Sequence, residues 1–236
     1  MIRSDSGGNL LIAGANTFCH TARWSPPEWQ PGLEGTRDRT AAGVARVIIT
    51  PRLKLRPFER GDATAFHGLA GDWRVARMTS DIPHPLSGEE AVRWVTLTHG
   101  DERFAVLDGA HLIGSVGYWQ RGDGVAELGF WLGPDSWGRG FATEAARALL
   151  GHGFETGRQG AFSTSHFIDN PASARVIAKL GFARTGRIRL LSPARGQEVE
   201  AITYRLEAAN AVRLGIASAA TVRRAPLRRL VGLVRG

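Results

Sequence analysis

Cysteine is nearly absent from this chain. One residue, Cys19, occurs in 236, which excludes an internal disulfide framework and a cysteine-based zinc site. Lysine is almost as scarce. Lys54 and Lys179 are the only two among 30 basic residues, so arginine carries the formal charge of +8. An arginine-rich surface binds anions, and strong G+C bias in the coding sequence leaves the same mark. The two tyrosines, Tyr118 and Tyr204, both fall in strand-like stretches. No run of 18 apolar residues exists, so no membrane span is expected. The apolar patch at residues 10–13 is too short for the core of a secretory leader. A cytoplasmic protein follows as the expectation. No repeat, no GxxxxGK[ST] string and no G-x-S-x-G elbow is present, which excludes a P-loop and a serine-hydrolase site. No metal is expected.

What is present centres on residues 126–150, AELGFWLGPDSWGRGFATEAARALL. Leu128, Phe130 and Leu132 alternate as in a strand. A Gly-Pro-Asp turn follows, then Gly138-Arg139-Gly140. Phe141, Ala145 and Leu149 then recur at helical spacing beside Ala142, Ala146 and Leu150. The pattern predicts strand, loop, helix. Two glycines at a helix start expose N–H groups with no partner inside the helix, and the macrodipole adds positive charge there. Such a corner suits a phosphate or pyrophosphate, with Arg139 placed to pair with a further oxygen. A dinucleotide fingerprint fits less well. Thr143 replaces its third glycine, and no acid stands about 20 residues on.

The loop Asp135-Ser136-Trp137-Gly138-Arg139-Gly140 resembles the acetyl-CoA loop of the GNAT acetyltransferases, Gln/Arg-x-x-Gly-x-Gly/Ala. Asp135 departs from the usual first residue. That leaves a side-chain role there open but keeps the backbone cradle. WGRGFATEA is similar to the ribosomal-protein N-acetyltransferase (RimJ/RimL-like) branch. So are residues 170–182, NPASARVIAKLGF, and the opening strand 50–57, TPRLKLRP. The resemblance spans residues 50–206.

The chain reads in order as follows. Residues 1–49 lack a sustained period and form an extension, loose or draped on the domain, or a start placed too early. Residues 52–56 are a strand. Asp62 caps a short helix with Ala65, Phe66 and Leu69. Residues 78–85 form a loop containing TSDIPHP. Ser87-Gly88-Glu89-Glu90 is a capping box for a helix through Trp94. Residues 104–107 and 112–119 form a hairpin turning at Asp108-Gly109. A helix runs from 141 to about 154, and a strand covers 162–168. Pro171 opens a helix that Gly181 ends. Residues 182–191 and 199–206 pair antiparallel. This order gives an α/β fold with helices on both faces of the sheet. The resemblance implies a GNAT-type mixed, mostly antiparallel sheet of six to seven strands, splayed near the middle. Residues 207–236 form a basic tail with six arginines against Glu207. Leu227, Leu230, Val231 and Val234 sit at amphipathic spacing behind Pro226. That tail reads as a weak contact for RNA or a membrane surface, or as a self-docked end.

The resemblance implies acetyl transfer from acetyl-CoA, a co-substrate, to a primary amine by direct attack in a ternary complex. Phe130, Trp131, Leu132, Trp137, Gly138, Arg139, Gly140, Phe141, Ala142 and Thr143 are expected on the cofactor. Asn170 and Ser173 are expected on its pantetheine arm, or as helix caps. Ser173 is also the candidate proton donor to the departing sulfur. Asp81 and His84 are acceptor-side candidates in a loop that otherwise reads as merely polar. Glu127 is the expected base, with a cross-strand ion pair as its plainer role. A lysine amine needs about 4.6 kcal/mol to deprotonate at neutral pH, against roughly 1–1.4 for an α-amine. A single carboxylate suits the second better. Three readings stand. They are an N-acetyltransferase acting on a protein α-amine or a small amine, a non-catalytic CoA-binding regulatory module, and an RNA-associated protein. The last lacks RNP aromatic motifs. Oligomeric state is not encoded legibly.

Overall fold

In the computed structural model the described residues are 47–96, 102–122, 124–156 and 159–219. The amphipathic reading of residues 226–234 and most of the N-terminal extension lie outside them. No helix among the described residues is long and apolar enough to cross a membrane.

Among the described residues eight strands form one sheet in the order β1-β2-β3-β4-β5-β6-β8-β7. They are β1 (Ile48–Ile49), β2 (Leu53–Pro57), β3 (Glu102–Asp108), β4 (His111–Gly122), β5 (Val125–Leu132), β6 (Ala161–Phe167), β7 (Ala183–Ser192) and β8 (Gln197–Glu207). Every pairing is antiparallel except β5 with β6. The count exceeds the expected six to seven because Ile48 and Ile49 add a two-residue edge strand on Leu55 and Lys54. A strand that short carries no readable period.

Among the described residues six α-helices cover the sheet: α1 (Ala63–Ala70), α2 (Trp73–Ala76), α3 (Gly88–Thr96), α4 (Phe141–Glu155), α5 (Pro171–Lys179) and α6 (Ala208–Arg213). Alternation along β5 assigns its two faces. Leu128 and Leu132 join Phe141, Leu149, Leu150, Phe154, Phe162, Ile177 and Leu180 in the larger core, under α4 and α5. Trp131 points the other way, into a smaller cluster with Phe66, Ile82, Leu86, Ala91 and Val95 from α1, α3 and the intervening loop. The layers are helix, sheet, helix. Ala208, Ala211, Ile216 and Ala217 extend the larger core beyond β8.

Local chemistry sets the helix ends. Ser87 and Glu90 form the expected capping box at α3, with bonds of 2.7–3.2 Å. Pro171 opens α5, where its missing N–H is no loss. Asp62 behaves differently from the expectation. Its carboxylate makes no cap on α1 and instead takes two bonds from Arg56 and one from the Glu59 N–H. A guanidinium fork outcompetes a lone helix N–H for a carboxylate.

Within α4, Gly153 lets the helix approach the sheet. A Cβ there would lie 2.6 Å from Phe162 Cζ and 3.2 Å from Tyr118 Cε1. Alanine for glycine in a helix ordinarily gains up to about 1 kcal/mol. Gly153→Ala is expected to reverse that sign and lose roughly 1–3 kcal/mol through overpacking. Urea unfolding measures it, and a stabilised variant would refute the close approach.

The feature that positions the site is where β5 and β6 part. They pair only over three rungs, Val125–Glu127 with Ala161–Ser163. Both strands continue, to Leu132 and Phe167. At the parting point the Thr164 hydroxyl donates to the Leu128 carbonyl at 2.9 Å. A side chain thus takes the acceptor that a ladder N–H would have used. The splay expected from the resemblance is present.

Candidate active site

The opening between β5 and β6 is lined by backbone. The Ser163 hydroxyl lies 3.4 Å from the Ala126 carbonyl and the Thr164 hydroxyl 2.9 Å from that of Leu128, so these carbonyls point toward β6. With period two, the N–H and C=O of Phe130 point the same way. No rung of β6 meets them among the described residues. An extended amide-bearing ligand can take the place of the missing strand there. Trp131 contributes nothing to this edge: by the same alternation its N–H and C=O face β4, and its ring packs against Phe66 at 5.5 Å on the α1 face. The Leu132 side chain is buried, and its carbonyl accepts from the Trp137 indole at 2.7 Å. That bond fixes the start of the loop.

The loop then turns through Gly138, φ +75°, and Gly140, φ +80°. Gly140 is the N-cap of α4 and offers no side-chain cap. The first helical acceptor bond is Glu144 N–H to the Gly140 carbonyl, 3.1 Å. The N–H groups of Phe141, Ala142 and Thr143 therefore lack helix partners. A Cβ on Gly138 would meet nothing within 4 Å, so that space is open. Two guanidinium groups flank the Phe141 ring, Arg52 at 4.7 Å and Arg139 at 4.3 Å from its centroid. Free N–H groups, a helix N-terminus, two cations and open space together fit a diphosphate.

Arg52 is the residue the sequence did not flag for this corner. It donates to the Arg139 carbonyl at 2.9 Å and to Glu144 through Nε at 2.7 Å. Glu144 also accepts from the Thr50 hydroxyl at 2.6 Å and the Arg52 N–H at 3.0 Å. Burial pushes the Glu144 carboxyl up, but these bonds from Thr50 and Arg52 outweigh it and hold the carboxyl below the usual range. A lowered folded-state value stabilises above the unfolded value and is lost as pH falls through the folded one. Glu144→Gln is expected to cost about 1–3 kcal/mol at pH 7. Chemical denaturation at several pH values should show that cost shrinking in acid. A cost independent of pH would contradict the assignment. An open depression of about 620 Å³, lined in part by Thr143, Glu144, Arg147 and Lys179, adjoins this corner.

Asn170 and Ser173 stand at the head of α5, after β6. Asn170 is buried, and its amide oxygen accepts from the Ser173 N–H at 3.1 Å. The capping role is thus filled. The half-buried Ser173 hydroxyl makes no protein hydrogen bond among the described residues.

On the opposite face of the sheet, Glu127 is half-buried and ion-paired with Arg121 on β4. Asp81, on the loop between α2 and α3, is the perturbed group. Close packing pushes its carboxyl up, Arg103 and its own N–H draw it back, and the charge of Glu127 raises it further, to about 6. The charge of Glu127 thus reaches Asp81. His84 is not part of this pair. Its Nδ1 donates to the Gly71 carbonyl at 3.0 Å, and its ring lies 5.1 Å from that of Trp73.

The parted strands and the uncapped, arginine-flanked start of α4 together form a site with room for an extended anionic ligand. Comparison with known proteins narrows this. The acetyltransferase (GNAT) domain family matches residues 52–183. The chain belongs to the GNAT acetyltransferase family. YnaD of Bacillus subtilis, described as an uncharacterized N-acetyltransferase, is 32% identical over 152 residues, covering 62% of this chain and 88% of that protein. A GNAT-family acetyltransferase from Bacillus anthracis superposes with a TM-score of 0.62 at 24% identity, covering 69% of this chain and 98% of that one. RimL, a ribosomal L7/L12 alpha-N-protein acetyltransferase solved in complex with coenzyme A, gives a TM-score of 0.62 at 20% identity, covering 70% and 99%. The last two likenesses concern the fold.

Proposed function

We propose that this chain transfers the acetyl group of acetyl-CoA to a primary amine by direct attack within a ternary complex. The observation that carries the reading is the parting of β5 from β6 beside the uncapped α4 N-terminus. The N–H groups of Phe141, Ala142 and Thr143, with Arg52 and Arg139, hold the diphosphate. Phe130 holds the amide-bearing arm through its backbone. The amine approaches from the face of α1–α3, where Asp81 and Glu127 lie.

Asp81 accepts the amine proton, in place of the Glu127 expected from sequence. Glu127 is engaged by Arg121, whereas the raised Asp81 value brings a carboxylate nearer to an amine. The amine nitrogen forms a bond to the thioester carbonyl carbon, the C–S bond breaks, and the Ser173 hydroxyl hydrogen-bonds to the departing thiolate, which takes its proton from water. Moving a proton from an α-amine to a carboxylate titrating near 6 costs about 2.5 kcal/mol, and from a lysine about 6. The reading therefore favours a protein α-amine or a weakly basic small amine. The RimL likeness points toward the first.

The test is release of free thiol from acetyl-CoA with a panel of primary amines and N-terminal peptides. Turnover on at least one is expected. Coenzyme binding with no turnover on any would favour a regulatory CoA-binding module instead. Glu127→Gln is expected to lower kcat/KM only about two- to three-fold, as a small field effect on Asp81 rather than loss of the base. A drop larger than that of Asp81→Asn would return the base role to Glu127.

A further inference from the structure

The splay leaves the two halves of the sheet sharing three parallel rungs. On the side of α2, one polar group spans the gap between the halves. Asp169 follows β6. It accepts from Arg195 Nη1 at 2.9 Å and Nη2 at 3.1 Å, and from Arg77 Nη2 at 3.2 Å. Arg195 belongs to the turn between β7 and β8, on one half, and Arg77 closes α2, on the other. Arg195 also donates through Nε to the Arg77 carbonyl at 2.7 Å, and its guanidinium lies 5.1 Å from the Phe167 ring centroid. Its side chain is only 12% exposed, whereas Asp169 is 40% and Arg77 35% exposed, so Arg195 is the buried member of a bridge at the rim. The neighbouring Ala194 packs on the smaller apolar cluster.

We infer that the Arg77–Asp169–Arg195 bridge is a strut that fixes the width of the amine cleft, with Arg195 a positioning and specificity-determining residue. The inference rests on the acetyl-transfer reading. A two-bond guanidinium–carboxylate fork imposes both distance and plane. Its ends sit where that matters. Arg77 precedes the loop that carries Asp81, and Asp169 precedes Asn170, the cap of α5. The strut therefore ties the proposed base to the corner facing the thioester. The ties of the diphosphate corner run elsewhere, to Thr50, Arg52 and Asp108. Breaking the strut should loosen the amine side and spare the coenzyme side.

Asp169→Asn and Arg195→Lys test this in the full chain. The first keeps shape and loses charge, and the second keeps charge and loses the fork. Initial rates of thiol release are measured with primary amines graded in size, and acetyl-CoA affinity by calorimetry. Acetyl-CoA Kd is expected within about two-fold of wild type, while KM for the preferred amine rises about ten-fold and the size preference moves to bulkier amines. Amide hydrogen exchange is expected to quicken together in residues 77–82 and 193–197. An unchanged amine KM and size order, or an acetyl-CoA affinity falling as far as that of the amine, overturns the strut. A wild-type protein that turns over no amine removes the acetyl-transfer reading and this inference with it. Wild-type turnover matched by both variants removes this inference alone.

Discussion

Replacing Gly140 by valine is expected to weaken acetyl-CoA binding about 100-fold, roughly 2.7 kcal/mol. The physical cause is backbone, not bulk. Gly140 has φ +80°, and a Cβ there would lie 3.5 Å from Arg52 Nη2, an ordinary contact. A β-branched residue strongly resists that conformation. The loop relieves the strain by rotating, which turns the free N–H groups of Phe141, Ala142 and Thr143 away from the diphosphate. Losing two or three charge-assisted bonds accounts for the magnitude. Gly124 supplies the control. It also has positive φ, +73°, and a Cβ there would approach only Gly160 N, at 3.9 Å. It precedes β5, at the strand end away from the site. Gly124→Val should lose stability by a similar amount and keep acetyl-CoA affinity. Calorimetric titration on both variants decides. Equal loss of affinity in both, or none in Gly140→Val, would place the coenzyme elsewhere.

Asp81→Asn carries the second large effect, in two readouts of opposite sign. Activity should fall about 100-fold in kcat/KM, the usual scale for a lost general base. The acid limb of the wild-type rate profile should lie near pH 6 and disappear in the variant. Stability should rise. A carboxyl whose folded-state value is raised, here from 3.8 to about 6, contributes stability that is present below the unfolded value. That contribution is lost as pH climbs through the folded one. Above pH 6 the ionised group therefore costs up to about 3 kcal/mol, which the neutral amide does not. Urea unfolding should show the variant gaining on the wild type between pH 4 and pH 6, with a plateau above. An active variant, or one no more stable at pH 7.5 than wild type, would remove Asp81 as the base. Loss of function with gain of stability is hard to produce by misfolding, so the two readouts together discriminate.

Much of the fold was legible because its signals are local. The run from Leu128 through Leu150 carries strand alternation, paired glycines and a helical stripe within one stretch, and the structure places strand, loop and helix there. Ser87 with Glu90, and Asp108-Gly109, are equally local and form as expected. The site was less legible. Glu127 stood out because it alternates with apolar residues close to the glycine corner, at an acidic position common in the resembling branch. Its partner Arg121 is six residues away, across a hairpin whose register the residues do not announce. Asp81 and His84 looked alike in one polar loop. Only the fold separated them, sending Asp81 toward Arg103 and Glu127 and His84 toward Gly71.

The sequence by itself determined the glycine corner at the head of α4, since positive φ and uncapped N–H groups follow from two glycines and their neighbours alone. It also determined most of the order of strands and helices, because periodicity is written along the chain, but not β1, α2 and α6, which are too short to carry a period. Tertiary structure alone decided where β5 leaves β6, since that depends on the Thr164 hydroxyl reaching Leu128, 36 residues away. It decided that Arg52 belongs with Arg139 and Glu144, across 87 and 92 positions. It decided that Asp169 meets both Arg77 and Arg195, from opposite sides of the cleft. A carboxylate's value depends on which charges fold around it, and Coulomb interactions act through space rather than along the chain.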